Sequence, residues 1–278
     1  MILILLDIVT VAAEPLAIPV HEVPFICEEV GFPLVLEQGV LGCSRDGTVD
    51  RWFDFTTSTV VELPTEQWIL GDVLFRWGLD GGLWDVQTQT WKTPRRRVLN
   101  PISISGSSGS RVQDHRIVWT DENTVRWLDL DTGHEHKYAA NPLGGQAPAW
   151  WNGAVVWIEW NQVMGIHIWL PHQQVYRTIE SDYPTSLIAV GERLAWVSGG
   201  DVVTWSFEQG ERRLGRTKVQ QVYATEKGIC WTQWYVEDVD VFCEGGWHLR
   251  RVGHQSYPVW FGETLYFLEE GRLWSISE

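Results

Sequence analysis

Two sets of side chains in this sequence are suited to binding chemistry, and both fall at the predicted turns. The first set is a series of carboxylates, each between two apolar segments: Asp46, Asp80, Asp121, Glu122, Glu159, Asp201, Glu237, Asp238, Glu269 and Glu270. The second is aromatic and comprises Trp160, Trp234 and Tyr235. Acidic residues are ordinary in turns. A ring of them beside exposed aromatic rings would attract a basic peptide or a cation.

The sequence offers little for catalysis. It contains no GxSxG nucleophile motif and no phosphate-binding glycine loop before a helix. His134 and His136 would share one face of a strand, but a structural zinc site needs four ligands. We predict no catalytic residue, no metal site and no cofactor. Ca²⁺ is a minor alternative, because carboxylates suit it, although no DxDxDG loop is present. A hydrolase or lyase site assembled from dispersed loop residues also stays open.

The four cysteines fall as two pairs that are close in sequence. Cys230 and Cys243 flank a predicted hairpin turn at 236–237, and a regular hairpin would place them opposite one another, as a disulfide requires. Cys27 and Cys43 could tie the N-terminal segment to the first repeat. We predict two disulfides and hence an oxidising compartment, periplasmic, secreted or at the cell surface. Four buried free thiols are the alternative.

A strand-turn-strand unit recurs along the chain and sets its architecture. The clearest copy is RIVWTDENTVRWLDLDTG at 116–133, an apolar strand, a polar turn, an alternating strand and a second turn. The second strand of each unit begins near Leu41, Leu74, Ile117, Val155, Leu194, Ile229 and Leu265. The spacing between these starts is typical of a propeller of four-stranded antiparallel blades. The sequence therefore predicts an all-β, seven-bladed β-propeller without helices.

The two ends of the chain suggest how the ring closes. The last predicted blade has three strands before Glu278, so we expect a strand from within residues 2–30 to complete it, since an open edge would leave backbone groups unpaired. MILILLDIVTVAAEP at 1–15 also resembles a signal peptide, although it lacks a basic start. The expected organisation is residues 1–30 as signal peptide, closing strand or both, and residues 31–278 as one propeller domain.

Tryptophan is unusually frequent, with 19 residues. We predict that eleven occupy equivalent places between blades, five in second strands and six in third strands: Trp77, Trp119, Trp157, Trp196 and Trp231, then Trp52, Trp84, Trp127, Trp169, Trp205 and Trp274. The other eight either cover blade edges or bind ligand: Trp68, Trp91, Trp150, Trp151, Trp160, Trp234, Trp247 and Trp260.

The blade pattern resembles that of the TolB-like and wider WD-type bacterial β-propellers. The resemblance lies in an apolar strand ending in an aromatic residue, a turn, a strand and an Asp-Leu-x-Thr-Gly-like turn, seen in RIVWTDENTVRWLDLDTG, LWDVQTQTW and RLAWVSGGDVVTWSFEQG. It covers 32–278, with Trp where that family often has Tyr. It implies a noncatalytic extracytoplasmic scaffold that binds a partner on one face.

Charge narrows the class of partner. The net charge of −15 argues against nucleic acid, which needs a basic surface, and no apolar run is long enough to span a bilayer. We predict a binding scaffold for a protein or peptide, favouring a basic one, which is not an integral membrane protein. A carbohydrate-binding lectin that uses exposed tryptophans is the main alternative.

Overall fold

The computed structural model of the 278-residue chain describes most of the second half continuously and the first half in segments. The described residues are 20–26, 34–36, 39–43, 49–62, 75–77, 83–85, 90–92, 111–113, 116–121, 124–129, 131–139, 148–160, 163–214, 218–225, 227–235, 238–270 and 272–277.

The described residues form strands almost throughout. In the first half these are β1 Val20–Ile26, β2 Leu34–Leu36, β3 Gly39–Cys43, β4 Val49–Asp54, β5 Thr59–Glu62, β6 Phe75–Trp77, β7 Leu83–Asp85, β8 Thr90–Lys92, β9 Arg111–Gln113, β10 Arg116–Asp121, β11 Thr124–Asp129 and β12 Glu135–Ala139. In the second half they are β13 Ala149–Trp151, β14 Ala154–Trp160, β15 Met164–Leu170, β16 Val175–Glu180, β17 Thr185–Val190, β18 Arg193–Ser198, β19 Asp201–Ser206, β20 Gly210–Arg213, β21 Val219–Thr225, β22 Gly228–Tyr235, β23 Asp238–Cys243, β24 His248–Leu249, β25 Gln255–Phe261, β26 Thr264–Glu269 and β27 Arg272–Ser277.

These strands pair into antiparallel sheets, six of which have four strands among the described residues, while β6 to β8 form a sheet of three. Second strands begin within two residues of the predicted starts. The one helical segment in the described ranges is a 3₁₀ turn at Glu244–Gly246. No helix in those ranges has the length and apolar character needed to cross a membrane.

Consecutive sheets are neighbours through their first strands. The first strand of one sheet lies beside the first strand of the next, so that β9, β13, β17, β21, β25 and β2 are neighbours in that order. Apolar side chains fill the spaces between consecutive sheets. Between the β13 to β16 and β17 to β20 sheets, for example, Trp151, Ile158, Leu194 and Trp196 are almost completely buried. The four sheets from β13 onward therefore bury both faces, which explains the runs of consecutive buried residues in their inner strands.

The last sheet is completed from the other end of the chain, as predicted. β1 pairs antiparallel with β27 as its outermost strand, with His21 opposite Ser275. An ion pair of 3.1 Å joins Arg272 to Glu22 across the two strands. The first strand of this sheet, β25, also lies beside β2. Chain segments that are about 250 residues apart in sequence thus hold one sheet together.

Four of the five second-strand tryptophans are core residues, as predicted, and the side chain of the fifth, Trp77, lies outside the described residues. Trp119, Trp157, Trp196 and Trp231 are all at most 6% exposed. Phe267 takes the corresponding place in β26 and is fully buried. Replacing such a ring by alanine typically costs about 3–5 kcal/mol.

The described third-strand tryptophans Trp127, Trp169, Trp205 and Trp274 also pack between sheets, as predicted, but their pairing registers differ, and the side chains of Trp52 and Trp84 lie outside the described residues. Trp169 lies opposite Val155, two positions before Trp157. Trp205 lies opposite Leu194, two positions before Trp196. Trp127 lies opposite Val118, one position before Trp119, and Trp274 lies directly opposite Phe267. A shift of one residue moves a side chain to the other face of the sheet. Trp127 therefore lies on the opposite face of its sheet from Trp119 and shares a cluster with Trp169 of the next sheet, and Trp169, Trp205 and Trp274 are only partly buried.

The predicted disulfide between Cys230 and Cys243 is confirmed. The two residues are opposite one another in the β22–β23 hairpin, and Tyr235 and Asp238 pair at its turn. Both cysteines are buried among the apolar side chains that separate this sheet from the last one. Cys27 lies outside the described residues, and so does the side chain of Cys43, so the other predicted disulfide stays a prediction.

Candidate functional site

The turns between second and third strands and the links between sheets emerge on one face, which we name the linker face. Backbone hydrogen bonds join turns to links on this face. The Ser181 N–H donates to the Met164 carbonyl at 3.1 Å, and the Trp234 N–H donates to the Lys218 carbonyl at 3.1 Å. These bonds satisfy loop backbone groups, as partly buried loops require. The face is therefore a connected surface that can present side chains in fixed positions.

Exposed apolar side chains concentrate on the linker face. Among the described residues, eight large apolar side chains are exposed, and five of them are on this face: Trp160 (41%), Val163 (45%), Tyr183 (62%), Trp234 (40%) and Val252 (90%). Phe207 lies on the opposite face, whereas Val60 and Tyr176 lie on outer strands. Clustered exposed apolar residues are the usual mark of a contact surface.

Trp160 and Tyr183 form the first aromatic pair of this face. Their ring centroids are 6.1 Å apart and their planes are nearly perpendicular, at 83°. The Trp160 Nε1–H donates to the Pro184 carbonyl at 3.1 Å. The Tyr183 N–H contacts the Met164 Sδ at 3.2 Å, and its backbone has a positive φ of 45°. The two rings are therefore held in place while much of their surface stays open to solvent.

Trp234 forms a second pair with His254. Their ring centroids are 5.2 Å apart, at 87°. His254 is anchored by an isolated bridge to Val239 in β23. Trp234 is the penultimate residue of β22, so its position follows from that hairpin. Trp150, Trp151 and Trp260, by contrast, are all buried, which removes them as stacking platforms.

A cleft adjoins the first aromatic pair, and we name it the Trp160 cleft. Its volume is about 430 Å³, and it is lined by Val163, Met164, Glu180, Ser181, Asp182 and Arg213. Met164 lies opposite Trp160 in the β14–β15 hairpin. The cleft thus combines an apolar side, two exposed carboxylates and one guanidinium.

Glu159 was predicted to be part of the acidic face, but the structure places it inside the sheet. It belongs to β14 rather than to a turn and is 8% exposed. One of its carboxylate oxygens accepts the Trp157 Nε1–H at 3.0 Å and lies 3.6 Å from the His167 Nδ1. The His167 ring also contacts the Tyr176 hydroxyl. Glu159 therefore stabilises the sheet and has little surface to offer a partner.

The pKa of His167 is lowered by burial, although the neighbouring Glu159 charge and a hydrogen bond to the Val163 carbonyl both oppose the shift. The neutral ring can donate from Nε2 to the Val163 carbonyl, 3.3 Å away, while Nδ1 accepts from the Tyr176 hydroxyl. This arrangement ties the turn at Val163 to the interior of the sheet.

The remaining predicted site residues fall into two groups. Asp201 lies 3.8 Å from the Arg213 guanidinium, and Asp238 accepts the Gly253 N–H at 3.2 Å. Both carboxylates are thus engaged within the chain. For the other group no side chain is described: Asp80 and Glu237 lie outside the described residues, as do the side chains of Asp121 and Tyr235.

Sequence analysis missed Glu180 and Asp182. They flank Ser181 in the link Glu180-Ser181-Asp182-Tyr183-Pro184, between an outer strand and the next inner strand. The sequence places the predicted acidic residues at turns between second and third strands, whereas these two lie at a link, which emerges on the same face. The Ser-Asp-Tyr-Pro composition of this link is a turn signal that could have identified it.

Metal-binding clusters are not found in the described ranges, where no three His, Cys, Asp or Glu side chains converge. One buried polar group does stand out. Asp240 is fully buried, and one of its carboxylate oxygens contacts the His248 Nε2 at 3.1 Å. Its other oxygen has no hydrogen-bond partner in the described part of the chain. Two residues alone do not make a metal site.

No protein family matches the sequence, and no curated protein matches it either. Several solved structures do resemble the fold. The β-propeller domain of the Trilobed protease from Pyrococcus furiosus, described as having an open velcro topology, is 11% identical, with a TM-score of 0.59 over 88% of this chain and 92% of that one. A chain of the Mitotic Checkpoint Complex is 12% identical, with a TM-score of 0.58 over 100% and 98%.

PorZ, a bacterial surface component of the type-IX secretion system of Porphyromonas gingivalis, is 12% identical, with a TM-score of 0.56. The similarity covers 91% of this chain but 37% of PorZ. Identities this low show the fold alone, and they support a β-propeller. The all-β sheets, their neighbouring first strands and these similarities together indicate a β-propeller fold, with a candidate binding site on the linker face.

Proposed function

We propose that this protein is a noncatalytic scaffold that binds a protein or peptide partner through its linker face. The observation that carries the proposal is the concentration of exposed apolar side chains there, including Trp160, Tyr183 and Trp234. Aromatic residues of this kind supply much of the binding energy at protein interfaces. Tyr235, Glu237, Asp80 and Asp121 are further candidate contacts, because the sequence places them at turns between second and third strands.

The proposal extends to architecture and compartment. We infer a seven-bladed ring formed by residues 31–278, closed by β1, of the TolB-like or WD type. The pairing of β1 with β27 and the neighbouring positions of β25 and β2 support closure. The Cys230–Cys243 disulfide supports an oxidising, extracytoplasmic compartment. The net charge of −15 favours a basic partner over nucleic acid.

Affinity capture from an extract of the host tests the proposal, with the full chain immobilised. The test variant is Trp160→Ala/Tyr183→Ala, which removes both rings of the first aromatic pair. The matched control is Phe207→Ala/Val60→Ala, which removes two similarly exposed side chains outside the linker face.

We expect the wild-type protein and the control to capture the same partner, and the test variant to capture it at least about 30-fold more weakly, as for two interface hot spots. Circular dichroism spectra of all three proteins should be alike, because the deleted rings are exposed. Equal capture by the two variants, or no specific capture by the wild-type protein, would contradict the proposal.

A lectin function is the second candidate, and the exposure of Trp160 and Trp234 favours it. Exposed aromatic platforms can stack on sugar rings. A glycan array separates the two functions. Binding of a defined glycan that is lost in the Trp160→Ala and Trp234→Ala variants would show that the ligand is a carbohydrate and not a protein.

A further inference from the structure

The chain itself repeatedly pairs an aromatic ring with a cation and a carboxylate. Lys227 Nζ lies 4.0 Å from the centroid of the Trp260 ring and 3.0 Å from the Glu263 carboxylate. The same combination joins Arg251 to Trp274 and Glu269, and Arg116 to Trp150 and Asp129. Three places in this fold therefore bind a cation in the same chemical way, through a ring face and a carboxylate.

The Trp160 cleft has two parts of that combination and lacks the third. The exposed Glu180 and Asp182 line the cleft and provide the carboxylates. The rings are next to it, since Trp160 pairs with the lining residue Met164 and Tyr183 follows Asp182 in the chain. In the described part of the chain, no cation lies over either ring, and neither carboxylate forms an ion pair. Arg213 reaches the cleft, but it is already 3.3 Å from Glu211 and 3.8 Å from Asp201.

We propose that the Trp160 cleft binds a lysine or arginine side chain of the partner, an inference that rests on the proposed function. The positive head would lie between Glu180 and Asp182 and against the aromatic rings. Val163 and Met164 would contact the aliphatic part of the side chain, as apolar surfaces do for long basic residues. The net charge of −15 would draw the basic segment toward the protein before it docks.

Arg213 makes the cleft selective. Its guanidinium is half exposed and would contact an acidic ligand favourably, so an acidic peptide is the competing occupant. The carboxylates of Asp201 in the neighbouring strand β19 and of Glu211 in the same strand β20 already neutralise this guanidinium. The unpaired charge of the cleft is therefore negative, which favours the basic side chain.

Fluorine NMR of the full chain labelled with fluorotryptophan tests this inference. The Trp160 resonance is assigned from a Trp160→Phe variant. The probes are acetylated, amidated tetra-arginine, tetra-lysine and tetra-glutamate peptides. Titrations are run at about 0.01 M and about 1 M salt, where the Debye length is about 30 and about 3 Å.

Two variants with the same change in charge are compared. The test variant, Glu180→Gln/Asp182→Asn, neutralises the Trp160 cleft. The control, Glu192→Gln/Glu208→Gln, neutralises two exposed carboxylates that line a smaller cleft of about 210 Å³ on the opposite face.

We expect both basic peptides to shift the Trp160 resonance at low salt, and tetra-glutamate to leave it unchanged. The test variant should raise the Kd of the basic peptides about five-fold, and the control should leave it unchanged. The shift should largely disappear at high salt.

Three results would overturn the inference: equal effects of the two variants, no shift with the basic peptides, or a shift with tetra-glutamate. Equal effects would mean that only the overall charge attracts the peptide. Partner capture that depends on Trp160 and Tyr183, but is unaffected by Glu180→Gln/Asp182→Asn, would sink the inference and leave the proposed function standing.

Discussion

The ion pair between Arg193 and Glu244 joins two neighbouring sheets, and its removal should measurably weaken the fold. Arg193 Nη1 and Nη2 donate to the two Glu244 carboxylate oxygens at 2.7 and 2.8 Å, and the Ile229 N–H donates to Glu244 at 3.0 Å. Gly228, with a φ of 119°, lets this carboxylate approach, since a Cβ there would be 2.7 Å from its Oε2. The pair is therefore geometrically well defined.

The size of the coupling energy between Arg193 and Glu244 depends on how deeply their side chains are buried. Hydrogen bonds to charged groups contribute about 1.5–3 kcal/mol when buried, and exposed ion pairs contribute about 0.2–1 kcal/mol. The side chains of Arg193 and Glu244 are 34% and 24% exposed, so solvent screens the pair in part. We expect a coupling energy of about 1.2 kcal/mol, between the two ranges. The Lys227–Glu263 pair at 3.0 Å, with Glu263 77% exposed, should give about 0.3 kcal/mol.

Acid should abolish the coupling. Burial raises the pKa of Glu244, but hydrogen bonds from Arg193 and from the Ile229 N–H, together with the charges of Arg193 and Arg212, outweigh burial and lower it below its ordinary value. A lowered carboxyl pKa contributes stability that is present above the unfolded-state pKa. That stability is lost as the pH falls through the folded-state pKa.

The assay is a double-mutant cycle by urea denaturation, with Arg193→Ala, Glu244→Ala and the double variant, and a parallel cycle for Lys227 and Glu263. Each cycle is measured at neutral pH and at about pH 2, well below the ordinary pKa of a carboxyl group. A coupling energy below about 0.5 kcal/mol at neutral pH, or one no larger than that of the control pair, would refute the argument. So would a coupling that is undiminished in acid.

Three further predictions concern stability. Replacing Cys230 and Cys243 by Ser should lower the free energy of unfolding by about 3 kcal/mol, since the disulfide closes a short loop; denaturation with and without reductant checks this. Gly165→Ala should cost about 1–3 kcal/mol, because the new Cβ would be near the Ile179 carbonyl oxygen, and thermal melting measures it. Because burial lowers the pKa of His167, stability should decline as the pH falls below about 6.5, and a His167→Gln variant should flatten that decline in urea titrations.

Features set by local sequence could be predicted. The turn signals fixed the starts of second strands to within two residues. The symmetric positions of Cys230 and Cys243 about their hairpin turn gave the observed pairing. Buried second-strand tryptophans such as Trp196 followed from recurrence in apolar strands. In each case the relevant contact lies within one hairpin or one repeat, so that spacing alone determines it.

Features set by the pairing between strands were predicted less accurately. Trp127 and Trp169 both fall in third strands, yet the length of each turn gives them different partners and different faces of the sheet. Glu159 is one residue before the exposed Trp160, and this single step places its carboxylate inside. Because strand side chains alternate, an error of one residue reverses burial.

The binding site depends on which carboxylates remain unused, and this is a property of the folded chain. The sequence has 36 acidic and 21 basic residues, so many carboxylates must lack a basic partner. Composition cannot say which ones. Folding engages Asp201 with Arg213 and Glu269 with Arg251. Glu180 and Asp182 stay exposed at a link, beside rings that lack a cation of their own among the described residues. In our proposal, the Trp160 cleft uses for a cation from outside the same pairing chemistry that holds the sheets together.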